Sequence, residues 1–174
     1  MYRNLQEFVQ RLEREGELIR VKTPVSSRFE IAEITDRMAK SEGGGKALLF
    51  ENTDGDFPVL TNMMGSSRRI AMALGVERLE QIGERIDALL KDVLSPKGSM
   101  WEKMQMLPLL ADVAKWFPKS VEGRGACQEV VIKGDDVDLE RLPMLHSWES
   151  DGGAFVTLPM VNTLDPETGV RNVG

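Results

Sequence analysis

The chain has 174 residues, of which 41% are hydrophobic and 29% charged, and its net charge is −6. This is the composition of a globular protein, and the negative charge argues against general attraction to nucleic-acid phosphates. One cysteine, Cys127, and one histidine, His146, exclude an internal disulfide and any site with several Cys or His ligands. No stretch approaches the roughly 18 apolar residues of a membrane span, and no apolar signal core opens the chain, so we expect a cytoplasmic location.

The first half alternates helical and strand patterns. Apolar residues at spacings of three and four predict helices over residues 4–15 and 28–40. Short apolar or alternating runs predict strands at 17–21, 47–50 and 58–62.

Two further helices are predicted at 68–74 and 79–90. This order indicates an α/β, or mixed α+β, arrangement over roughly the first 95 residues. Proline and glycine then punctuate residues 95–120, which we interpret as a connector with helical pieces packed across the first domain.

The last part of the chain turns to β patterns. Strands are predicted at 129–132 and 154–163, and a tight turn at 165–169 leads into a return strand over 170–174. We therefore divide the chain into an N-terminal α/β domain with connector, residues 1–120, and the start of a β-rich domain, residues 121–174. A half-formed hairpin leaves backbone groups unpaired, so we expect the remainder of that domain on missing sequence or on another chain.

Three features favour structural rather than chemical interpretations. Gly43–Lys46 follows a helix and precedes a strand, the reverse of a phosphate-binding loop, and is interpreted as a helix stop. Glu30, Glu33 and Asp36 are interpreted as a solvated helix face. The many methionines, including Met63 and Met64, favour core or interface packing over ligand binding.

His146 has a titration range suited to proton transfer, but no partner residue in the sequence favours catalysis over a structural role. Further along, the hairpin strands would place Thr157 and Asn172 toward the same end of a β-ribbon. Their neutral oxygens suit a phosphate or a hydrated divalent cation. The alternative is an ordinary hairpin in which Thr and Asn cap the turn.

In combination, the motifs resemble the UbiD family of decarboxylases. In the second half they are Leu142-Pro143-Met144-Leu145, Trp148, Asp151-Gly152-Gly153, Thr157, Asp165-Pro166-Glu167-Thr168-Gly169 and Arg171-Asn172-Val173-Gly174. In the first half they are Leu5, Phe8, Leu12, Gly16-Glu17-Leu18, the strand from Lys46 to Asn52, and Asn62-Met63-Met64-Gly65-Ser66. The resemblance covers essentially the whole chain.

This resemblance implies an N-terminal α/β domain, a central split β-barrel like that of flavin reductases, and a C-terminal α/β domain used in oligomerisation. It implies prenylated FMN as cofactor, with the phosphate held through Mn²⁺ or Mg²⁺ and K⁺ nearby. By position, Asn172 resembles the asparagine ligand of the divalent ion. Thr157, Asn172, Val173 and Gly174 resemble cofactor-binding positions.

The implied activity is a reversible, non-oxidative decarboxylation of aromatic or α,β-unsaturated carboxylic acids. Losing CO₂ from an sp² carbon leaves a carbanion without orbital overlap, which explains the need for a flavin electron sink. The family's catalytic Arg and Glu and its other metal ligands, a His and a Glu, correspond to downstream positions. No catalytic residue is therefore assigned within this chain, and we expect this chain alone to be inactive.

The resemblance also implies a small-molecule acid as substrate, a flavin prenyltransferase as cofactor supplier, and a homo-oligomer. Two alternatives remain: a non-catalytic scaffold subunit of a decarboxylase complex, and a flavin-reductase-type oxidoreductase that shares the split barrel. The sequence chooses neither the substrate nor the direction of the reaction.

Overall fold

The computed structural model describes residues 2–94, 104, 107–115, 117, 122–157 and 159–174. The N-terminal elements are α1 (Leu5–Arg14), β1 (Leu18–Val21), α2 (Glu30–Ala39), β2 (Ala47–Phe50), β3 (Val59–Thr61), α3 (Ser67–Leu74) and α4 (Glu80–Leu94). They are followed by α5 (Leu107–Ala114), β4 (Asn162–Leu164) and β5 (Arg171–Val173). The α/β class predicted from the sequence is confirmed.

A three-stranded sheet in the order β1-β2-β3 organises the N-terminal region. β1 and β2 are parallel, with Leu18 opposite Ala47, and α2 forms the crossover between them. β3 returns antiparallel to β2, with Leu48 opposite Thr61. Parallel strands need such a crossover, whereas antiparallel neighbours are joined by a shorter turn.

Helices cover both faces of this sheet. Because strand side chains alternate, Leu48 and Phe50 of β2 point to one face and pack with Ile31 of α2. Ala47 points to the opposite face and packs with Phe8 and Leu12 of α1. The central strand is therefore buried on both sides, as its continuous apolar run predicts.

The guanidinium of Arg69 lies at the centre of the N-terminal region. Its side chain is 0% exposed, although it carries a charge. It donates to the Glu17 carboxylate at 3.0 Å and to the carbonyl oxygens of Gly45 at 2.6 Å and Gly44 at 3.2 Å. A buried charge is tolerated only when it is paired and hydrogen-bonded, so this one side chain ties α3 to the turn before β1 and to the loop before β2.

The glycines of the loop before β2 allow that loop to cross the loop after β3 at contact distance. Gly44 has a φ of 80°, and a Cβ there would overlap the carbonyl oxygen of Gly65. The Asn62 carboxamide donates to the carbonyls of Gly44 at 2.8 Å and Lys46 at 2.9 Å. Only glycine fits both the close approach and the left-handed backbone. The run Gly43–Gly45 is therefore the place where the two loops cross. It does not end the preceding helix, because α2 already ends at Ala39.

The segment around His146 is attached to the N-terminal region through its backbone. The amide of Phe29 donates to the His146 carbonyl at 2.8 Å, and the His146 amide donates to the Ser27 carbonyl at 3.2 Å. The Phe29 ring meets the imidazole edge-on at a centroid distance of 5.0 Å. Phe29 has a φ of 69°, which is uncommon for an aromatic residue. These contacts hold it there, and they support the structural role for His146.

The Asp54 carboxylate stabilises the turn at Ser26 and Ser27, to which the backbone of His146 is hydrogen-bonded. Asp54 accepts from the Ser26 hydroxyl at 2.8 Å and from the Ser27 amide at 3.0 Å. Burial raises the pKa of Asp54, but the hydrogen bonds from Ser26 and Ser27 outweigh burial and hold the pKa below its usual value. A second link lies nearby, where Arg141 pairs with Asp56 at 2.7 Å.

Most element predictions are confirmed within a few residues, and two strand predictions are wrong. Residues 129–132 form no strand, and Val130 is 78% exposed. Of the strand predicted at 154–163, only the end enters β4, while Phe155 makes a single bridge to Leu145. β-propensity requires a neighbouring strand, and the described residues supply none at these positions. Most of the predicted connector lies outside the described residues.

Replacing Arg69 by Ala should lower the free energy of unfolding by about 3–5 kcal/mol, because Glu17 and two carbonyl groups would lose a buried partner. Arg68 offers a matched control, since it pairs with the same Glu17 at 2.7 Å but is 57% exposed. Arg68→Ala should cost about 0–1 kcal/mol. Urea unfolding followed by circular dichroism measures both, and equal losses would contradict the central role of Arg69.

Replacing Asp54 by Asn should lower the free energy of unfolding at pH 7 by roughly 1 kcal/mol, since charge-assisted hydrogen bonds are weakened at an exposed site. A carboxyl with a depressed folded pKa stabilises the fold above its unfolded value of about 3.9 and loses that contribution as the pH falls through the folded pKa. The unaltered protein should therefore lose more stability than the variant between about pH 5 and pH 3. If both proteins lost the same free energy of unfolding over this pH range, the depressed pKa of Asp54 would be contradicted.

Candidate functional site

A cleft of about 650 Å³ lies between the N-terminal region and residues 142–157. α2, β3 and the loop after β3 form one side. The opposite side consists of residues 142–145, 147–148 and 155–157. Its size is within the range of small-molecule pockets.

The polar groups on the N-terminal side already have partners. The hydroxyl groups of Thr35 and Thr61 hydrogen-bond each other at 2.8 Å. Asp36 pairs with Lys40 at 2.6 Å, and the Asn62 carboxamide is committed to the loop crossing. This side of the cleft therefore presents mainly methyl, methylene and thioether groups, the latter from Met63 and Met64.

The opposite side adds exposed aromatic surface. Trp148 is 63% exposed and Phe155 is 45% exposed. The Phe155 amide donates to the Leu145 carbonyl at 3.0 Å, and Leu145 itself packs on the N-terminal core. Among the described residues that line the cleft, Asp36 is the only charged one. This part of the lining therefore suits a flat apolar group and offers no cationic side chain to a carboxylate or phosphate.

The hairpin β4–β5 carries the other predicted site residues. Thr163 lies opposite Asn172, and Asn162 lies opposite Val173. Because directly opposed residues share a face, the Thr163 hydroxyl and the Asn172 carboxamide project to one side, and Asn162 projects to the other. All these positions are exposed, so the side chains are accessible from solvent.

The hairpin turn is held by the Asp165 carboxylate. It accepts from the amides of Thr168 at 2.7 Å and Glu167 at 2.9 Å. These backbone hydrogen bonds, with the Thr168 bond the strongest cause, hold the pKa of Asp165 below its usual value. The turn predicted from the Asp-Pro-Glu-Thr-Gly motif is confirmed, and it fixes which residues of β4 and β5 oppose each other.

The structure does not bring the predicted site residues together. Thr157 lines the cleft, whereas Asn172, Val173 and Gly174 are absent from the cleft lining and lie in or beside β5. The expectation that Thr157 and Asn172 share one end of a ribbon is wrong, because the strand that would carry Thr157 begins only at Asn162. Thr163, which the sequence interpretation passed over, is the hydroxyl opposite Asn172.

No group of three or more His, Cys, Asp or Glu side chains within the described ranges is arranged to hold a metal ion. In the same part of the chain, no helix combines the length and apolar character needed to cross a membrane.

Sequence reasoning also passed over the residues that build the cleft and its support. Asn62 and Arg69 act through carbonyl groups that are distant in sequence. A local signal does exist, because Ser66 accepts from the Arg69 amide at 3.2 Å as the N-cap of α3. That cap predicts where the helix starts, but it carries no information about where the guanidinium points.

Two family models match the chain in succession. The model of the 3-octaprenyl-4-hydroxybenzoate carboxy-lyase N-terminal domain matches residues 9–87. The model of the Rift-related domain of the same carboxy-lyase matches residues 119–174. The first match contains the three-stranded sheet and the loop crossing, and the second contains the hairpin.

Longer proteins resemble this chain over its whole length. An uncharacterised protein of Aquifex aeolicus (strain VF5) is 51% identical over 174 residues, which are 99% of this chain and 35% of that protein. The open form of vanillic acid decarboxylase from Sedimentibacter hydroxybenzoicus, with truncated ShVdcD, is 29% identical with a TM-score of 0.69, covering 100% of this chain and 33% of that one.

An evolved dimeric form of the UbiD-class enzyme HmfF from Pelotomaculum thermopropionicum, in complex with prFMN, is 28% identical. Its TM-score is 0.60, and the match covers 99% of this chain and 34% of that one. The chain thus spans about a third of the length of the relatives that it matches. From the two successive model matches and these structures, we conclude that the chain belongs to the UbiD family of carboxy-lyases.

Proposed function

We propose that this chain is the N-terminal part of a reversible, non-oxidative decarboxylase that acts on aromatic or α,β-unsaturated carboxylic acids with prenylated FMN. The main support is the succession of an N-terminal carboxy-lyase model and a Rift-related model along one chain. The HmfF relative binds prFMN, and another relative is a vanillic acid decarboxylase. The domain division at residues 120 and 121 belongs to the same proposal.

The face of the hairpin that carries Asn172 is the proposed flavin-phosphate side. Asn172 would ligate Mn²⁺ or Mg²⁺ through its carboxamide oxygen, with K⁺ nearby, and Gly174 would lie beside the cofactor. Val173 faces the other side of the hairpin, so it would line the cofactor through its backbone, and Thr157 would line it from the cleft. The opposed Thr163 hydroxyl adds a second neutral oxygen on that face. Hard divalent cations prefer oxygen ligands, so the exposed pair fits part of such a site.

One asparagine cannot hold a divalent ion alone, since Mg²⁺ and Mn²⁺ sites need several oxygen ligands. The remaining ligands and the catalytic Arg and Glu are therefore proposed to come from polypeptide beyond the residues described. When bound, the cofactor would supply an electron sink for the charge left by departing CO₂. The task of this chain would be to orient the phosphate end of the cofactor through the hairpin.

The cleft contributes differently in this proposal. Its described lining is mainly apolar and its one charged side chain, Asp36, is acidic, which disfavours the carboxylate of the substrate there. The acid group would bind elsewhere, close to the proposed catalytic Arg. A flavin prenyltransferase would supply the cofactor, and the complete enzyme would be a homo-oligomer in the cytoplasm.

The hairpin offers a matched pair of asparagines for a test. The test uses a chimaera in which this chain replaces the matching third of the Aquifex aeolicus relative. After reconstitution with prenylated FMN and Mn²⁺, the flavin and the metal should co-elute with the chimaera. Asn172→Ala should lower the retained Mn²⁺ and flavin at least about tenfold, because one oxygen ligand is removed. Asn162→Ala, on the other face, should leave both within about twofold. Flavin absorbance and metal analysis provide the measurement.

Full retention of flavin and metal by the Asn172→Ala chimaera would contradict the proposed ligand. An equal loss in both variants would point to general damage of the hairpin instead. The isolated chain provides a separate test, because decarboxylase turnover by these 174 residues with prenylated FMN and Mn²⁺ would contradict the proposal that catalytic groups lie elsewhere.

A further inference from the structure

The cleft between the N-terminal region and residues 142–157 suits an uncharged ligand. Among the described residues of its lining, Asp36 alone carries a charge, and Lys40, which pairs with it at 2.6 Å, is not part of that lining. The hydroxyl groups of Thr35 and Thr61 already bind each other. A carboxylate that entered the cleft would lose hydration without gaining a cationic partner, which is costly. A neutral molecule meets no such penalty.

The lining also indicates the shape of the ligand. On one side, Met63 and Met64 contribute thioether groups, which adapt to different shapes and contact aromatic rings favourably. On the other side, Trp148 and Phe155 present exposed rings on which a second flat group can stack. The volume of about 650 Å³ leaves room for a small molecule between these two surfaces. A planar, unsaturated and uncharged molecule therefore fits both the charge and the surface of the cleft.

The proposed reaction interconverts an anion and a neutral molecule of this kind. In the decarboxylation direction, the aromatic or α,β-unsaturated carboxylate releases CO₂ and takes up one proton, so a hydrogen atom replaces the negatively charged group. The unsaturated part of the molecule stays the same, and only the charge is lost. The cleft would therefore distinguish the two molecules by the presence or absence of the carboxylate.

We propose, on the basis of the proposed function, that the cleft binds the decarboxylated, uncharged partner of this reaction and discriminates against the acid. Thr157 lines the cleft and is also proposed to line the cofactor, so the cleft would border the place where the neutral molecule forms. The acid would bind at the separate site that holds the catalytic Arg. The neutral molecule would then have a site of its own, from which it does not compete with the acid.

A matched pair of ligands tests the proposal on the complete 174-residue chain. The anion is 6-hydroxy-2-naphthoate, and the neutral molecule is 2-naphthol, which its decarboxylation leaves. Equilibrium dialysis at pH 7, with each ligand measured by its fluorescence, should give a dissociation constant at least tenfold lower for 2-naphthol. No flavin, metal or turnover is involved. A failure of this test therefore leaves the decarboxylase proposal intact, and a failure of the Asn172 test leaves the ligand preference of the cleft intact.

Two acidic residues of α2 provide a matched control for the charge preference. Asp36 pairs with Lys40 and Glu33 pairs with Arg37, each at 2.6 Å and four residues apart, but only Asp36 belongs to the described lining. Asp36→Asn removes the negative charge and frees the Lys40 ammonium, so it should tighten the binding of 6-hydroxy-2-naphthoate at least threefold. It should leave the binding of 2-naphthol within twofold. Glu33→Gln should leave both ligands within twofold.

Two phenylalanines provide a matched control for the location. Phe155 is 45% exposed in the cleft lining, and Phe57 is 51% exposed outside it. Phe155→Ala should weaken the binding of 2-naphthol at least fivefold, because one stacking surface is lost. Phe57→Ala should leave that binding within twofold. Circular dichroism of each variant shows whether its fold is retained.

Three results would overturn the proposal. The first is binding of 2-naphthol that is no tighter than binding of 6-hydroxy-2-naphthoate. The second is an effect of Phe155→Ala on 2-naphthol that is no larger than the effect of Phe57→Ala. The third is the loss of 2-naphthol binding in the Aquifex aeolicus chimaera prepared without flavin, because the cleft would then be filled by other parts of the polypeptide.

Discussion

The buried guanidinium of Arg69 is the constraint on which the N-terminal region depends. It has no solvent to stabilise its charge, so its partners must be in place whenever α3 packs on the sheet. Those partners are Glu17, directly before β1, and carbonyl groups of the loop before β2, and the Asn62 carboxamide donates to one of the same carbonyl groups, that of Gly44. The Asn62 loop is also one wall of the cleft. The shape of the cleft is therefore fixed by hydrogen bonds that lie behind it.

The region matched by the Rift-related model, residues 119–174, is attached to the N-terminal region in a different way. Backbone hydrogen bonds at Ser27, Phe29 and His146 and the Arg141–Asp56 pair join it to loops. Of its described residues, Leu145 is the one that packs on the N-terminal core cluster around Phe50. The hairpin β4–β5 contributes no side chain to either core cluster among the described residues. The buried apolar side chains among the described residues thus lie in the N-terminal region, whereas most large apolar side chains described in the region matched by the Rift-related model are exposed.

The sequence predicted the features that depend on residues close together in the chain, and it missed those that depend on distant residues. The amphipathic helices, the buried strand β2 and the hairpin turn at Asp165 depend on neighbouring residues, so their patterns predicted them correctly. Val130 and Thr157 were assigned to strands that need a distant partner, and propensity carries no information about that partner. Arg69 is charged, so sequence reasoning places it at the surface by default, and its burial depends on carbonyl groups 24 and 25 positions away.

The attachment through His146 has a practical consequence for spectroscopy. The chain contains a single histidine. Its imidazole lies edge-on to Phe29, at a contact that exists only while the two regions are joined. Aromatic ring currents shift nearby proton resonances, so one pair of imidazole signals, free of overlap from any other histidine, distinguishes joined from separated regions without isotopic labelling.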